Sequence, residues 1–158
     1  MSSRVGIGYD VHQLVAGETL ILGGVTIPHD KGTAGHSDGD VLSHAIADAL
    51  LGAASLGDIG AYFPSSDETI AGISSLKILR TVTGVLEQED YRIGNIDTTI
   101  ILQAPKLASF LPEIKTRLQQ VLHITADAMS IKATTTDHLG FTGRGEGIAV
   151  MAVALVNR

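Results

Sequence analysis

The sequence predicts an α+β fold, a single two-layer domain in which a mixed β-sheet carries its helices on one face, and three observations lead there. Alternating or continuous apolar β-runs and amphipathic helical stripes interleave in the order β, β-hairpin, α, α, β, α, β, β. The 158 residues have the size of one ordinary domain, and no repeat, linker or low-complexity stretch divides them, so residues 1–158 read as one unit. Hydrophobic residues at 44% against charged residues at 18% supply enough apolar material for a core and argue against disorder. With aromatics at 4% and no Trp, that core must be aliphatic.

Residues 4–12 (RVGIGYDVH) alternate as a strand does, and Gly6 and Gly8 permit close approach of a neighbouring backbone. Residues 18–28 hold two short apolar runs around Gly23-Gly24, a hairpin signal. A polar, glycine-bearing loop over 30–40 leads to a helix capped by Ser37 or Asp38, with Leu42, Ile46, Ala49 and Ala53 as its stripe and an end near Gly57. A loop through 60–64 precedes a second helix, capped by Ser74 or Ser75, with the stripe Ile78, Leu79, Val82, Val85 and Leu86. Ile96, Thr98, Ile100 and Leu102 alternate as a strand that Pro105 stops. Pro112 suits the first turn of a third helix carrying Ile114, Leu118, Val121 and Leu122. Residues 129–135 read as a strand and 136–147 as a loop. The nearly continuous apolar run 148–156 reads as a strand buried on both faces.

Charge and composition exclude several function classes. Eleven basic against 17 acidic side chains give a net charge of −6 with no Lys/Arg cluster, which removes the basic face that a nucleic-acid backbone requires. The absence of cysteine leaves His and carboxylates as the only metal ligands. No apolar run approaches the roughly 20 residues of a membrane span. The start Met-Ser-Ser-Arg lacks the features of a signal or transit segment, so a cytoplasmic location is expected.

Against that background the polar residues form distinct constellations. Asp10 and His12, two apart on a strand, point to one side, and His44 sits early in the first helix off its apolar stripe. Together they make three ligands with a coordination position left open, the pattern of catalytic zinc; unrelated surface groups or a non-haem iron triad share the spacing. Asp48, four residues beyond His44, could orient that imidazole or simply continue a solvated face. His36 and Ser37, at a helix start, suit an anion or merely cap the helix. Asp58, between Gly57 and Gly60, suits a hydroxyl ligand or a turn that bonds its own backbone. Lys132, Thr134, Thr135, Thr136 and Asp137 could grip phosphates and a cation at a strand end, although Thr also favours strands. The loop 140–147 surrounds Arg144 and Glu146 with glycines, yet neither it nor Gly6-Ile7-Gly8 completes a phosphate-loop or dinucleotide motif.

Taken together, RVGIGYDVH, GHSDGDVLSHAIADALLGAASLGDIGAYFP, QAPKL and IKATTTDHLGFTGRGEG, in that order and over nearly the whole chain, resemble the 2-C-methyl-D-erythritol 2,4-cyclodiphosphate synthase family of the non-mevalonate isoprenoid pathway. The resemblance implies a lyase that closes 4-diphosphocytidyl-2-C-methyl-D-erythritol 2-phosphate into a cyclic diphosphate and releases CMP. It implies zinc on Asp10, His12 and His44, and a second ion, magnesium or manganese, on Asp137. His36 and Thr135 match the positions that stabilise the transition state, beside Ser37, Thr134 and Thr136. Asp58, Ile59 and Gly60 match ribose contacts. Leu102, Gln103, Ala104, Pro105, Lys106, Leu107 and Ala108 match the cytosine pocket. Phe63, Ser65, Asp67 and Ser75 match the methylerythritol side. Phe141, Arg144 and Glu146 match a loop near a cavity on a threefold axis, where an isoprenoid diphosphate is the implied ligand.

Two positions depart from the family pattern. Asp137 stands where Glu is common, one methylene shorter, so a water-mediated contact to the second ion is expected. Ser65 replaces a frequent Asp, which puts that contact in doubt. The resemblance also implies a homotrimer with sheets around the axis, and the apolarity of 148–156 agrees, because one helical layer covers only one sheet face. Two rival functions are a non-catalytic sensor of isoprenoid diphosphates and a hydrolase that passes the phosphoryl group to water.

Overall fold

In the computed structural model, which describes residues 1–158, the first long strand β1 (Ser3–Ala16) pairs antiparallel with the last, β7 (Gly147–Asn157). They lie inside a five-stranded sheet whose order is β4 (Lys31–Thr33), β1, β7, β5 (Arg92–Ile101), β6 (Met129–Thr134). β4 forms one edge, and β5 pairs antiparallel with β7 and parallel with β6. A parallel pair needs a long crossover, and α4 (Leu111–Leu122) supplies it. A separate hairpin, β2 (Leu20–Leu22) and β3 (Val25–Ile27), turns at Gly23 (φ +56°) and Gly24 (φ +75°), as a two-residue turn with both central residues left-handed requires.

The position of α1 (Val41–Ala54) follows from the two glycines of β1. A Cβ on Gly8 would lie 1.9 Å from the Ala45 carbonyl oxygen, and one on Gly6 would lie 2.0 Å from that of Ala49. Only the absence of both lets the helix backbone rest on the strand. Only His44, Asp48 and Gly52 of α1 are not buried, and they stand at successive i, i+4 positions, so the helix has one polar line in an otherwise apolar cylinder. α3 (Ser75–Gln88) packs against α1 and α4, and the predicted stripes are buried in all three helices, apart from the half-buried Val85. Gly8→Ala should lower stability by about 3 kcal/mol or more, because a backbone oxygen cannot turn aside as a side chain can. The melting temperature should fall by roughly 6–12 °C. A melting curve within experimental error of the parent chain's would show that α1 does not rest on β1 in this way.

Several expectations need correcting. β4, the one-turn α2 (Ile59–Tyr62) and the one-turn α5 (Gly140–Gly143) occupy stretches that read as loops, and at three or four residues each they are too short to carry a period. The cap of α1 is Asp40 rather than Ser37 or Asp38. Its fully buried carboxylate accepts from Ser43 N–H at 3.1 Å, Gly23 N–H at 3.0 Å, Gly24 N–H at 2.9 Å and the Ser43 hydroxyl at 2.8 Å, so it also fastens the hairpin to the helix. Ser74 occupies the cap of α3 without a side-chain bond.

In the single chain β7 is buried along one face and, apart from Gly147 and Ala149, not along the other. Ile148, Val150, Ala152, Ala154 and Val156 face the helices and are buried, whereas Met151 and Val153 are each 43% exposed. In register beside them stand Tyr9 and Ile7, also exposed, with Val5 and Val11 extending the patch. Across β5 and β6 the same face turns polar, with Lys132 donating to Asp97 at 2.7 Å. No helix is long and apolar enough to cross a membrane.

Candidate active site

Asp10 and His12 project from the helix-covered side of β1, and the close seat of α1 brings His44 down onto them. Asp10 Oδ2 lies 2.9 Å from His12 Nε2 and 3.2 Å from His44 Nδ1, and the two imidazole nitrogens are 3.3 Å apart. The other Asp10 oxygen accepts from the Val11 N–H at 3.0 Å, which leaves Oδ2 for the cluster. Burial would raise the Asp10 carboxyl, but hydrogen bonds and charge from His12 and His44 outweigh it and hold the pKa at about 2.

The donor set fits a divalent cation. Tetrahedral ligands about 2.0–2.2 Å from an ion stand about 3.3–3.6 Å from one another, close to the observed edges. One anionic oxygen and two imidazole nitrogens also suit zinc chemically, and three protein ligands leave a fourth position for a reactant. Hydrogen bonding alone leaves this cluster poorly satisfied, since one carboxylate oxygen faces both rings and each ring turns a nitrogen toward the other.

Behind His44, Nε2 meets Ser75 Oγ at 2.9 Å and Ser37 Oγ at 3.0 Å. Ser75 is fully buried, and its hydroxyl and N–H both donate to the Asp38 carboxylate. Ser75, expected on the methylerythritol side, therefore stands behind the imidazole, with its hydroxyl already engaged. Asp48 does not bond His44; it accepts from the Ile59 N–H at 2.8 Å and so steadies α2. Burial raises its carboxyl despite that bond. Asp38 carries no sequence signal for this role, because its partner lies 37 residues away.

The remaining predicted residues fall into two groups. Near the start of α1, His36 Nε2 lies 3.0 Å from the Asp67 carbonyl oxygen, and the His36 carbonyl accepts from Gly72 N–H at 2.8 Å. This ties the stretch containing Ser65 and Asp67 to the loop that leads into the helix bearing His44. Asp67 caps its own turn through Thr69, whose hydroxyl is the main cause of its lowered pKa. Asp58 likewise accepts from Ala61 N–H at 3.0 Å to cap α2, beside exposed Gly60 and half-buried Ile59 and Phe63.

The second group surrounds a cavity of about 240 Å³ between the β5–α4 loop and the end of β6. Leu102, Gln103, Pro105, Lys106, Leu107 and Ala108 line it together with Leu111, Ala133, Thr134 and Thr135; Ala104 lies in the same loop. Gln103 Oε1 accepts from the His138 N–H at 3.0 Å and so joins this loop to the threonine loop. Asp137 (φ +50°) and His138 (φ +64°) are both left-handed, a conformation that non-glycine residues rarely adopt in succession. Thr135 Oγ1 accepts from the Asp137 N–H at 3.2 Å, while the Thr136 hydroxyl donates to the Leu139 carbonyl at 2.6 Å and serves the turn. Arg144 and Glu146 pair on the surface at 2.8 Å, beside the partly exposed Phe141. A larger cavity, about 650 Å³, lies against Tyr91, Leu122 and His123 and contains none of these residues.

Within one chain Asp10, His12 and His44 do not line the cavity of about 240 Å³. Asp10 pairs with Val150, Val150 with Ile100, and Ile100 with Ala133, so three strand spacings, about 14 Å, separate the metal cluster from the cavity. Val150 and Ile100, between them on the same face, are fully buried.

Comparisons with known proteins place the chain in a family. A profile of the YgbB family matches residues 3–157. The 2-C-methyl-D-erythritol 2,4-cyclodiphosphate synthase of Geobacter metallireducens is 55% identical over 155 residues, covering 98% of this chain and 99% of that one. The Clostridium acetobutylicum enzyme of that name is 56% identical over 153 residues, covering 97% of this chain and 99% of the other. Among solved structures, the bifunctional IspDF of Campylobacter jejuni superposes with a TM-score of 0.94 at 37% identity, over 98% of this chain and 42% of that longer one. A Plasmodium falciparum IspF in complex with CDP superposes with a TM-score of 0.86 at 34% identity, over 98% of this chain and 96% of that one.

Proposed function

The chain belongs to the YgbB family, and from that premise we infer that it is a 2-C-methyl-D-erythritol 2,4-cyclodiphosphate synthase. It converts 4-diphosphocytidyl-2-C-methyl-D-erythritol 2-phosphate to the 2,4-cyclodiphosphate and CMP. The convergence of Asp10, His12 and His44 on one point is the observation that carries the metal-assisted form of this reading. An oxygen of the 2-phosphate forms a bond to the β-phosphorus as the bond from that phosphorus to the oxygen bridging to CMP breaks, and CMP leaves with the electron pair. The substrate brings its own nucleophile, so the protein's task is to hold the two phosphates in line and shield them from water.

Asp10, His12 and His44 would hold zinc. When bound, zinc supplies Lewis-acid polarisation of phosphate oxygens and a template for the attack. His36, fixed by the Asp67 carbonyl, and Thr135, which lines the cavity, would donate to phosphate oxygens as charge redistributes. The cavity lined by Gln103, Pro105 and Lys106 is the proposed cytosine pocket, and the CDP bound by the Plasmodium protein supports a cytidine nucleotide as ligand. Asp58, Ile59 and Gly60 would face the ribose, and Phe63, Ser65 and Asp67 the methylerythritol. Phosphorus NMR of the product tests the whole reading: a cyclic diphosphate with CMP is expected. A linear diphosphate would establish the hydrolase instead, and prenyl diphosphate binding without turnover would establish the sensor.

Asp137 would hold magnesium or manganese on the diphosphate. Activity should then require an added divalent ion even with zinc in place. Asp137→Asn should raise the ion concentration for half-maximal activity by roughly 10- to 100-fold, as expected of a group acting on a metal through water. Asp137→Glu should be tolerated. Full turnover in buffer free of magnesium and manganese would count against this site.

The working unit is proposed to be a cytoplasmic homotrimer with shared active sites. The exposed apolar patch of Val5, Ile7, Tyr9, Met151 and Val153 supports packing of sheets around an axis. The buried Val150 and Ile100 between metal cluster and cavity support a site completed by a neighbouring chain. Arg144 and Glu146 would then lie near the axial cavity.

A further inference from the structure

We propose that Asp38 and Ser75 are positioning residues that fix His44 for its metal, a role that rests on the metal reading of the Asp10–His12–His44 cluster. Hydrogen-bond accounting leads there. A carboxylate only accepts, and a serine hydroxyl has a single proton. Asp38 Oδ2 already takes the Ser75 N–H at 3.0 Å, and its Oδ1 takes the Asp40 N–H at 3.1 Å and the Ser75 hydroxyl. The Ser75 proton is therefore spent on Asp38, and the serine oxygen turns only lone pairs toward His44 Nε2, 2.9 Å away. A lone pair on Nε2 would face the lone pairs of Ser75, so Ser75 favours the tautomer in which Nε2 carries a proton and donates it. Ser37 Oγ, 3.0 Å from the same nitrogen and itself accepting the Gly39 N–H at 3.3 Å, still has its own proton and can serve either tautomer, so the choice falls to Ser75.

The consequence appears at the other side of the ring. With Nε2 committed as a donor, Nδ1 is the one nitrogen of His44 able to offer a lone pair, and it is the atom that faces Asp10 and His12. The negative charge of Asp38, relayed through a hydroxyl, also favours an electron-rich imidazole. Such outer partners orient ligating histidines and raise their basicity. The arrangement is fully formed inside the chain: Ser75 has no exposed surface, and its helix starts at this residue. Ser75 is thus the point at which α3 is joined to the ligand on α1.

The test is zinc affinity, measured by chelator competition on the wild-type protein and on Ser75→Ala, Ser75→Thr and Asp38→Asn. Ser75→Ala should bind zinc about 10- to 100-fold more weakly. Ser75→Thr, which keeps the hydroxyl, should stay within a few-fold of wild type, and Asp38→Asn should fall between them. Nitrogen-15 NMR of the zinc-loaded wild type should show His44 protonated at Nε2, with that proton in slow exchange. Wild-type affinity in Ser75→Ala overturns the proposal, and so does a threonine variant as weak as the alanine one, since packing would then be the cause. Should Ser75→Ala not fold, Asp38→Asn decides: unchanged affinity there, or a rapidly exchanging His44 proton in the wild type, overturns it. A wild-type protein that binds no zinc would instead defeat the metal reading itself.

Discussion

His44→Ala is expected to empty the metal site. The protein should carry about one zinc per chain, as three convergent ligands with an open position imply, and the variant close to none. The remaining pair, Asp10 and His12, can offer only two ligands from one strand, and the Asp38–Ser75 relay loses the ring it holds. Turnover should fall by at least about 10²–10³-fold, the loss typical when one pre-organised charge stabiliser is removed. Stability should change little, because His44 stands on the single polar line of α1 while the apolar residues that seat the helix are untouched. Elemental analysis, a steady-state rate and a melting curve check the three parts. Full zinc retention with undiminished turnover would remove His44 from the site, whatever the geometry suggests.

Asp10 and His12 were legible in the sequence because a strand repeats every two residues, so their side is fixed by local geometry. His44 was legible as the polar exception to an apolar helical stripe. Gly6 and Gly8 signalled close backbone approach, and the structure shows it to be the approach that brings His44 within 3.3 Å of His12. Long-range pairing was not legible. Ser37, Asp38 and Asp40 all have capping chemistry, and only the hairpin turn at Gly23 and Gly24, which supplies two further N–H donors to Asp40, decides among them. Ser75 read as a cap or a substrate contact because nothing near it in sequence announces Asp38. The apolarity of 148–156 was legible as burial, but a single chain leaves Met151 and Val153 exposed.

Mixing two inactive chains should restore activity if the sites are shared. Within one chain the Asp10–His12–His44 cluster and the proposed cytosine cavity are about 14 Å apart across the sheet, with fully buried Val150 and Ile100 between them. Thr134 and Thr135 line the cavity, so the threonine loop travels with the base pocket and not with the zinc ligands. His44→Ala spoils the first half of a shared site and Lys106→Glu, once shown to be inactive alone, spoils the second. In a closed ring assembled at random from equal amounts of both, about one quarter of sites would combine an intact metal cluster with an intact neighbouring pocket. Co-refolded mixtures should therefore recover up to about a quarter of wild-type activity, against almost none for either parent. Sedimentation should show the recovered activity in a species three chains in size. Val153→Asp, placed in the exposed apolar patch, should yield single chains that keep zinc but turn over no substrate, because burying an unpaired carboxylate at a chain–chain contact costs several kcal/mol. Subunit exchange proven by mass labelling, together with a mixture as inactive as its parents, would assign each site to a single chain.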